Sequence, residues 1–390
     1  MSRFTGKFAI LQGFYWITSC LVFAYAERFL TAYGFSVQHV GFVMAAANGI
    51  ALLMQPLFAD LADRPKGPSL RSEICFGSAV AILFALLLLL PYDRRPVIAV
   101  LFCALSTVTL TVMPMLNSVG LYYVDRGEPI DYSLARGIAS LVFAVYSYLA
   151  GFLAEWRIDS LLWTYIAANL GMIGMAILFA PKKDHIRKTT VQATGTVTLL
   201  KKHPYLLPLF AGIVLTFSTH NFINAYMLSI VKMVGKGTHE MSIAVSLAAV
   251  LEIPTMAGFS FLMKRFRLEK LLVVSFAAFA VKHAAMLLPL WFGAGIWSVY
   301  ASQVIQIFGY ALFIPCASFY LNGRMEETDK VKGQMLLTEA QMIGGIIGQL
   351  VGGYSIAWIG VPRTMLIGCG LSILALAAVV RAVRAEKRTA

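Results

Sequence analysis

The chain has 390 residues, of which 59% are hydrophobic and only 13% are charged. A water-soluble globular domain carries about 25% charged residues, so this composition leaves too little polar surface for a soluble protein. Long segments that are nearly free of charge, such as Ala79–Leu90, Val97–Met113 and Met365–Val380, indicate that the chain is surrounded by a lipid bilayer.

The formal net charge of +13 does not indicate a nucleic-acid-binding protein, because the basic residues occur in short clusters between apolar segments. All five cysteines fall inside apolar segments and none forms a CxxC pair. Neither a disulfide framework nor a metal site is therefore predicted. The loops contain no Ser/His/Asp set and no nucleotide-binding loop, so we expect neither an enzyme nor a cofactor.

Twelve segments are apolar and long enough to cross a bilayer, which takes about 20 residues of helix. The first segment follows Arg3 and Lys7 and so resembles a signal peptide, but it is long enough to span and eleven similar segments follow it. The predicted spans cover residues 8–30, 38–60, 70–90, 97–123, 133–155, 159–180, 204–230, 240–263, 270–290, 294–320, 334–357 and 361–381. The expected fold class is an all-α membrane protein.

Lysine and arginine are distributed unequally between the two sets of alternating loops. The set that includes both termini and the polar stretch Pro181–His203 holds 24 of the 32, whereas the other set holds seven. Positively charged loops stay on the cytoplasmic side, so both termini are predicted to be cytoplasmic, in the cytoplasmic (inner) membrane. Residues 181–203 are then a basic linker that touches anionic lipid, between six-helix bundles at 1–180 and 204–390.

The two halves of the chain repeat each other weakly. Ala150–Trp156 (AGFLAEW) closes the fifth segment, and Gly352–Trp358 (GGYSIAW) closes the eleventh, 202 residues later. Pro56 and Pro254 lie inside the second and eighth segments. Two six-helix halves joined by a cytoplasmic loop resemble the major facilitator superfamily. The resemblance implies two pseudo-symmetric bundles, a substrate bound near the midplane and transport by alternating access, and we expect a monomer.

The loop after the second segment carries a signature of this superfamily. Residues 59–67 read ADLADRPKG, similar to GxxxDRxG[RK], with Asp63 and Arg64 at matching positions. In the family this pair holds the cytoplasmic ends together and must separate as the halves tilt, so the resemblance assigns gating to Asp63 and Arg64. A solvated, positively charged loop is the alternative. The corresponding loop after the eighth segment, MKRFR (263–267), keeps the bases but lacks the acid.

The fifth segment lacks the GxxxGP motif of antiporters. It begins with Tyr132–Ser140 (YSLARGIAS), which resembles the YxxxRxx[GA]S stretch of the symporter branch that includes lactose, nucleoside and phenylpropionate permeases. Arg136 matches the arginine that binds substrate in the lactose members, and Asn117 stands where they have an acid. The resemblance thus assigns substrate binding to Arg136 and Asn117, which together bind hydroxyls or leave a positive charge for a carboxylate. A cytoplasmic base at a helix start is the alternative for Arg136.

Ionisable side chains inside the predicted spans are few, and each costs at least about 2.5–3.5 kcal/mol in hydrocarbon. Glu252 and Lys282 lie on the neighbouring eighth and ninth helices, so we expect them to offset each other's desolvation. The lactose members use an acid and an arginine near these positions for binding and coupling, and a purely structural ion pair is the alternative. Gln306 replaces a proton-coupling histidine of those members, and His220 and Asn221 complete the predicted substrate-binding set.

A proton carrier needs a carboxyl that loads and unloads its proton near neutral pH. Gln306 and Gly309 stand where the lactose members have a histidine and an acid, and neither residue has a side chain that can carry a proton. The candidates for proton coupling are therefore Glu252, Glu339 and Glu27. The predicted function is import of a sugar, an oligosaccharide or a nucleoside by proton symport. An aromatic-acid importer, an exporter of drugs or metabolites and a non-transporting sensor remain alternatives.

Overall fold

A computed structural model describes residues 2–62, 67–92, 94–124, 126–182 and 196–389. These residues contain helices and no strand, so the predicted all-α fold is confirmed. The first helices are α1 Arg3–Phe23, α2 Ala26–Ala32, α3 Val37–Ala62, α4 Leu70–Leu88, α5 Arg95–Val124, α6 Tyr132–Trp156 and α7 Ser160–Phe179. They are followed by α8 Thr196–Lys202, α9 Leu206–Ala225, α10 Met227–Met233, α11 Thr238–Arg265, α12 Leu268–Phe292, α13 Gly295–Val304, a 3₁₀ turn at Ile305–Ile307, α14 Tyr310–Asn322 and α15 Glu327–Thr389.

Eleven helical segments among the described residues are long and apolar enough to cross a membrane. The last of them, Lys332–Glu386, has 55 residues and holds two spans, because α15 is interrupted at Gly360. There φ is 79°, a conformation that favours glycine, and Pro362 follows. The break falls between the predicted spans 334–357 and 361–381, so the prediction of twelve spans is confirmed.

The described part of the chain folds into two compact units. Unit 1 comprises Met1–Lys188 with Gly237–Val250, and unit 2 comprises Thr189–Lys236 with Leu251–Ala390. The predicted linker at 181–203 stays a prediction, because residues 183–195 lie outside the described ones.

Unit 1 is built around α1, which packs against α5, α6 and α7. Phe8, Leu11 and Tyr15 of α1 recur at helical spacing and belong to one apolar core. Phe8 lies against Gly120 of α5, where an added side chain would collide with the ring. Gln12 lies on the same buried part of α1, so its amide is surrounded by protein rather than by lipid.

Unit 2 is built around α9, which packs along α15. The first arm of α15 presents small residues to α9 at Gly344, Gly348 and Gly352. At Gly348 an added methyl group would collide with the backbone carbonyl of Ser218. Small residues at this spacing therefore allow α9 and α15 to approach each other closely.

The first long helix of each unit is broken at an equivalent tyrosine. After α1 the chain restarts as α2, and the hydroxyl of Tyr25 donates to the carbonyl of Ser147 at 2.5 Å. After α9 it restarts as α10, and the hydroxyl of Tyr226 donates to the carbonyl of Gln349 at 2.5 Å. The two acceptors are 202 residues apart, as are the AGFLAEW and GGYSIAW motifs. The sequence repeat thus extends to a tertiary hydrogen bond.

Helix α11 contributes to both units. Its beginning lies within Gly237–Val250, where the backbone N–H of His239 donates to the carboxylate of Glu155 at 2.9 Å. Two turns further on, the hydroxyl of Ser246 donates to the carbonyl of Ala144 at 2.7 Å. These bonds join the first half of α11 to α6 inside unit 1, whereas its second half belongs to unit 2.

Candidate functional site

Three predicted site residues of unit 2 form a hydrogen-bonded chain. The ammonium of Lys282 donates to Oε1 of Gln306 at 2.6 Å, and Nε2 of Gln306 donates to Oε1 of Glu252 at 3.0 Å. Lys282 is 1% exposed and Gln306 is 3% exposed. An amide serves both charges at once because it has an acceptor oxygen and a donor nitrogen. The acid and the lysine therefore interact through Gln306, and we call these three residues the relay.

Gln306 owes its position to a break in the tenth span. The predicted span over 294–320 corresponds to the apolar segment Gly295–Asn322, but its helix is interrupted: a 3₁₀ turn at Ile305–Ile307 ends α13, and α14 starts only at Tyr310. Gly309, between them, has φ −85° and ψ −101°, outside the helical region. Short 3₁₀ stretches within helices often mark functional positions. Here the turn carries the amide that joins α11 to α12.

A second buried group in unit 2 surrounds His220. Its Nε2 accepts from the amide nitrogen of Asn224 at 3.0 Å, so the ring proton is on Nδ1, which is buried without a partner among the described residues. The ring stacks on Tyr310, with centroids 5.1 Å apart and an interplanar angle of 14°. The neighbouring Asn221 instead donates to the carbonyl of Phe217 on its own helix at 2.9 Å.

Buried polar side chains hold the turn of α12 that carries Lys282. The next residue, His283, bonds through Nδ1 to the carbonyl of Phe279 at 2.6 Å. The hydroxyl of Ser372 lies 3.2 Å from the same nitrogen and 3.1 Å from the hydroxyl of Thr219. This buried network joins α12 to α9 and α15, and so fixes the position of the turn that carries Lys282.

The two predicted site residues of unit 1 are joined through α1. Nε2 of Gln12 donates to Oδ1 of Asn117 at 3.1 Å, and the guanidinium carbon of Arg136 lies 4.7 Å from the ring centroid of Trp16. Gln12 and Trp16 are four residues apart and therefore share one face of α1. We call these four residues the α1 cluster. Gln12 is the member that sequence reasoning missed.

Three atoms of the α1 cluster are buried without a hydrogen-bond partner among the described residues. They are Oε1 of Gln12, Nε1 of Trp16 and Nη1 of Arg136. Buried polar atoms in folded proteins normally have a partner in protein or ordered water. One free acceptor and two free donors in a single cluster therefore fit the recognition of a polar solute.

The sequence model of the MFS_1 like family, whose members have the major facilitator fold, matches residues 9–367. The chain belongs to the MFS_1 like family. Its fold is similar to the solved nucleoside transporter NupG, with a TM-score of 0.81 over 98% of this chain and 99% of that chain, at 15% identity. It is also similar to a D-xylose-proton symporter, with a TM-score of 0.73 over 97% and 95% of the two chains at 10% identity.

A third similar structure is the peptide transporter POT, with a TM-score of 0.69 over 98% of this chain and 94% of that chain, at 13% identity. No curated protein matches the sequence. Likeness at such low identity establishes the fold, and the predicted major facilitator fold of twelve helices in two pseudo-symmetric bundles is confirmed. The protein is a multi-span membrane protein of this transporter type.

The acids predicted for proton coupling in this MFS_1 like protein have different surroundings. Glu252 bonds to Gln306, and Glu27 is buried in α2. Glu339 of α15 is half-buried and has neither a hydrogen bond nor an ion pair with any described residue.

Asp63 and Arg64 lie outside the described residues, so their gating role stays a prediction. Within the described part of the chain, no group of His, Cys, Asp and Glu is arranged to hold a metal ion.

The loop after the eighth span of this MFS_1 like protein has an acidic partner that the motif comparison missed. Residues 263–267 contain no acid, but Glu269 follows and accepts from Arg267 at 3.3 Å and from Arg324. Arg324 also pairs with Glu386, near the end of α15, at 2.8 Å. These contacts join the ends of α12, α14 and α15 within unit 2, so the bases of this loop do have an acidic counterpart.

Proposed function

We propose that the protein carries a sugar, an oligosaccharide or a nucleoside across the cytoplasmic membrane by alternating access and proton symport. The observation that supports this most is the relay of Glu252, Gln306 and Lys282. It keeps a carboxylate and an ammonium inside an apolar unit on either side of one neutral amide. A purely structural pair gains most from direct contact, because Coulomb attraction falls with distance. The interposed amide favours a role in binding and coupling.

Protonation of Glu252 changes what the relay offers to a solute. The carboxylate accepts from Gln306, whereas the protonated carboxyl also has a donor of its own. Once Glu252 is neutral, Lys282 is a buried cation without a counter-charge in the relay, which is costly in hydrocarbon. An acceptor on the solute then becomes a favoured partner for Lys282. Proton binding therefore strengthens solute binding, and by linkage the solute strengthens proton binding.

Further proposed contacts extend this assignment to other predicted residues. Arg136 and Asn117 of the α1 cluster are proposed to bind the solute, and His220 is proposed as a further binding residue. The excess of Lys and Arg in alternate loops supports an inner-membrane location with both termini cytoplasmic.

Uptake into proteoliposomes tests the proposal. Purified protein is reconstituted, and uptake of radiolabelled uridine and D-xylose is measured with and without an acidic exterior. We expect accumulation of at least one solute above its equilibrium level only when the exterior is acidic. Glu252→Gln should abolish this accumulation and retain solute exchange, because the relay keeps an acceptor and the proton site is lost.

The matched control is Glu326→Gln, which alters an exposed acid that pairs with Lys202 at the protein surface. This variant should accumulate solute like the wild type. If Glu252→Gln still accumulates solute against its gradient, Glu252 is not the proton carrier, and Glu339→Gln in the same assay tests the next acid. If neither solute enters wild-type vesicles faster than protein-free vesicles, the proposed substrate class is wrong.

A further inference from the structure

Gln12 is 1% exposed, and the two polar atoms of its amide have different surroundings. Nε2 donates to Oδ1 of Asn117 at 3.1 Å, which fixes the direction of the amide. Oε1 is consequently presented as an acceptor, and it is buried with no partner among the described residues. An unpaired buried acceptor of this kind costs roughly 1–3 kcal/mol, so its natural complement is a donor on a bound molecule.

The other unpartnered atoms of the α1 cluster are both donors. They are the indole Nε1 of Trp16 and Nη1 of Arg136. The indole ring is already engaged, because Arg136 lies over it at 4.7 Å and Phe143 meets it in a T-shaped contact at 5.6 Å. The cluster is therefore equipped to recognise a solute by hydrogen bonds more than by ring stacking.

The set of free atoms defines the chemistry of the complementary group. That group must supply acceptors for two donors and one donor for Oε1 of Gln12. Neighbouring hydroxyls of a sugar or ribose meet this requirement, and so does an N–H beside a carbonyl. A carboxylate offers acceptors only, so it would leave Oε1 of Gln12 unpaired and place negative charge against it.

We propose that Gln12 is a specificity-determining residue that selects neutral solutes bearing an O–H or N–H donor beside an acceptor, and disfavours carboxylates. The inference rests on the proposed function in taking the bound molecule to be the transported solute. It goes further by choosing between two classes of solute, because it favours sugars and nucleosides over aromatic acids.

Binding measured without a proton gradient tests this inference. Wild-type protein in lipid nanodiscs is titrated by isothermal calorimetry with uridine, D-xylose and 3-phenylpropionate. We expect binding of uridine or D-xylose and at least tenfold weaker binding of 3-phenylpropionate. Gln12→Leu should weaken binding of the neutral solute about tenfold, the loss of roughly one hydrogen bond. Gln12→Lys replaces the acceptor with a donor and should improve 3-phenylpropionate binding relative to the neutral solute.

Two further variants keep the result interpretable. Gln12→Asn retains an amide, so it should keep the preference for neutral solutes even if affinity falls. Gln303→Leu is the matched control, because Gln303 is an equally buried glutamine of unit 2 that belongs neither to the relay nor to the α1 cluster. It should bind the neutral solute like the wild type.

Three results would overturn the inference. They are tighter binding of 3-phenylpropionate than of both neutral solutes to the wild type, absence of binding by both neutral solutes, and unchanged affinity in Gln12→Leu. The last result would mean that the free atoms of the α1 cluster meet only water. The test uses no gradient, so failure of proton coupling through Glu252 would leave its outcome unaffected. Unchanged affinity in Gln12→Leu would overturn the role of Gln12 alone and leave the uptake experiment standing, whereas absence of binding by both neutral solutes would count against the proposed substrate class as well.

Discussion

Replacing Gln306 by leucine tests whether one amide holds a buried ammonium and a partly buried carboxylate. The change removes two hydrogen bonds to charged partners, each of about 1.5–3 kcal/mol, and leaves Lys282 without its acceptor in the relay. The volumes of the two side chains are similar, so the cost of a cavity is small. Breaking a buried charged arrangement by removing one partner costs about 3–5 kcal/mol. We expect the free energy of unfolding of Gln306→Leu to fall by that amount.

The measurement is equilibrium unfolding in mixed micelles of dodecyl maltoside and sodium dodecyl sulfate, followed by circular dichroism. Gln303→Leu again serves as the control, because Gln303 lies one turn earlier and bonds through its Nε2 to the sulfur of Met227 at 3.9 Å, a weak contact. We expect it to cost about 1 kcal/mol. If Gln306→Leu and Gln303→Leu lower the free energy of unfolding by equal amounts, the idea that the relay stabilises buried charge is refuted.

A second substitution separates the charge from the packing. Lys282→Met removes the cation, so adding it to Gln306→Leu should recover part of the lost stability, because apolar replacement of buried charged groups is often neutral or stabilising. The two residues touch, so their effects should not be additive. If the double variant is as unstable as the sum of the single losses, the cost of Gln306→Leu does not come from the stranded ammonium.

Three further outcomes follow from other parts of the structure. Gly348→Ala should cost about 1–3 kcal/mol in the same unfolding assay because α9 lies against it, whereas Gly370→Ala, with open space around it, should be nearly neutral; equal costs would contradict the close helix contact. Arg136→Lys keeps the charge and loses the planar group over the indole, so calorimetry should show about tenfold weaker solute binding; wild-type affinity would exclude a planar requirement. Asp329→Asn should lower the unfolding midpoint more than Glu326→Gln, because the two acids share one lysine but their side chains are 1% and 68% exposed; the reverse order would contradict this ranking.

Hydropathy and length predict the twelve spans well, because a bilayer requires about 20 apolar residues whatever the tertiary packing. The interruption at Gly360 agrees with the predicted boundary because glycine and the following proline act locally. The breaks near Tyr25 and Tyr226 were not predictable in this way. Each is accompanied by a hydrogen bond to a carbonyl more than 120 residues away, and hydropathy carries no information about such partners.

The residues of the candidate site also differ in how far the sequence predicts them. Arg136, Glu252 and Lys282 are identifiable from sequence because a charge in an apolar segment is costly and rare. Gln12 and the bridging position of Gln306 are not, since an uncharged amide carries a smaller penalty and is common as a packing residue. What distinguishes them is the neighbour that each amide atom meets on another helix, and this depends on the tertiary structure.

The relay and the α1 cluster are complementary to the same chemical groups on a solute. Two unit charges about 4 Å apart attract by about 4 kcal/mol at an effective dielectric constant of about 20, so a direct pair of Glu252 and Lys282 would resist opening by a neutral molecule. The amide of Gln306 replaces that attraction with two hydrogen bonds, and a solute with an acceptor and a donor can take over both. The α1 cluster lacks the same two kinds of partner, an acceptor for Arg136 and a donor for Gln12. We therefore propose hydroxyl groups as the complement of the relay and, separately, of the α1 cluster, because they add no charge to the apolar interior. A carboxylate would instead oppose Glu252 in the relay and Gln12 in the α1 cluster.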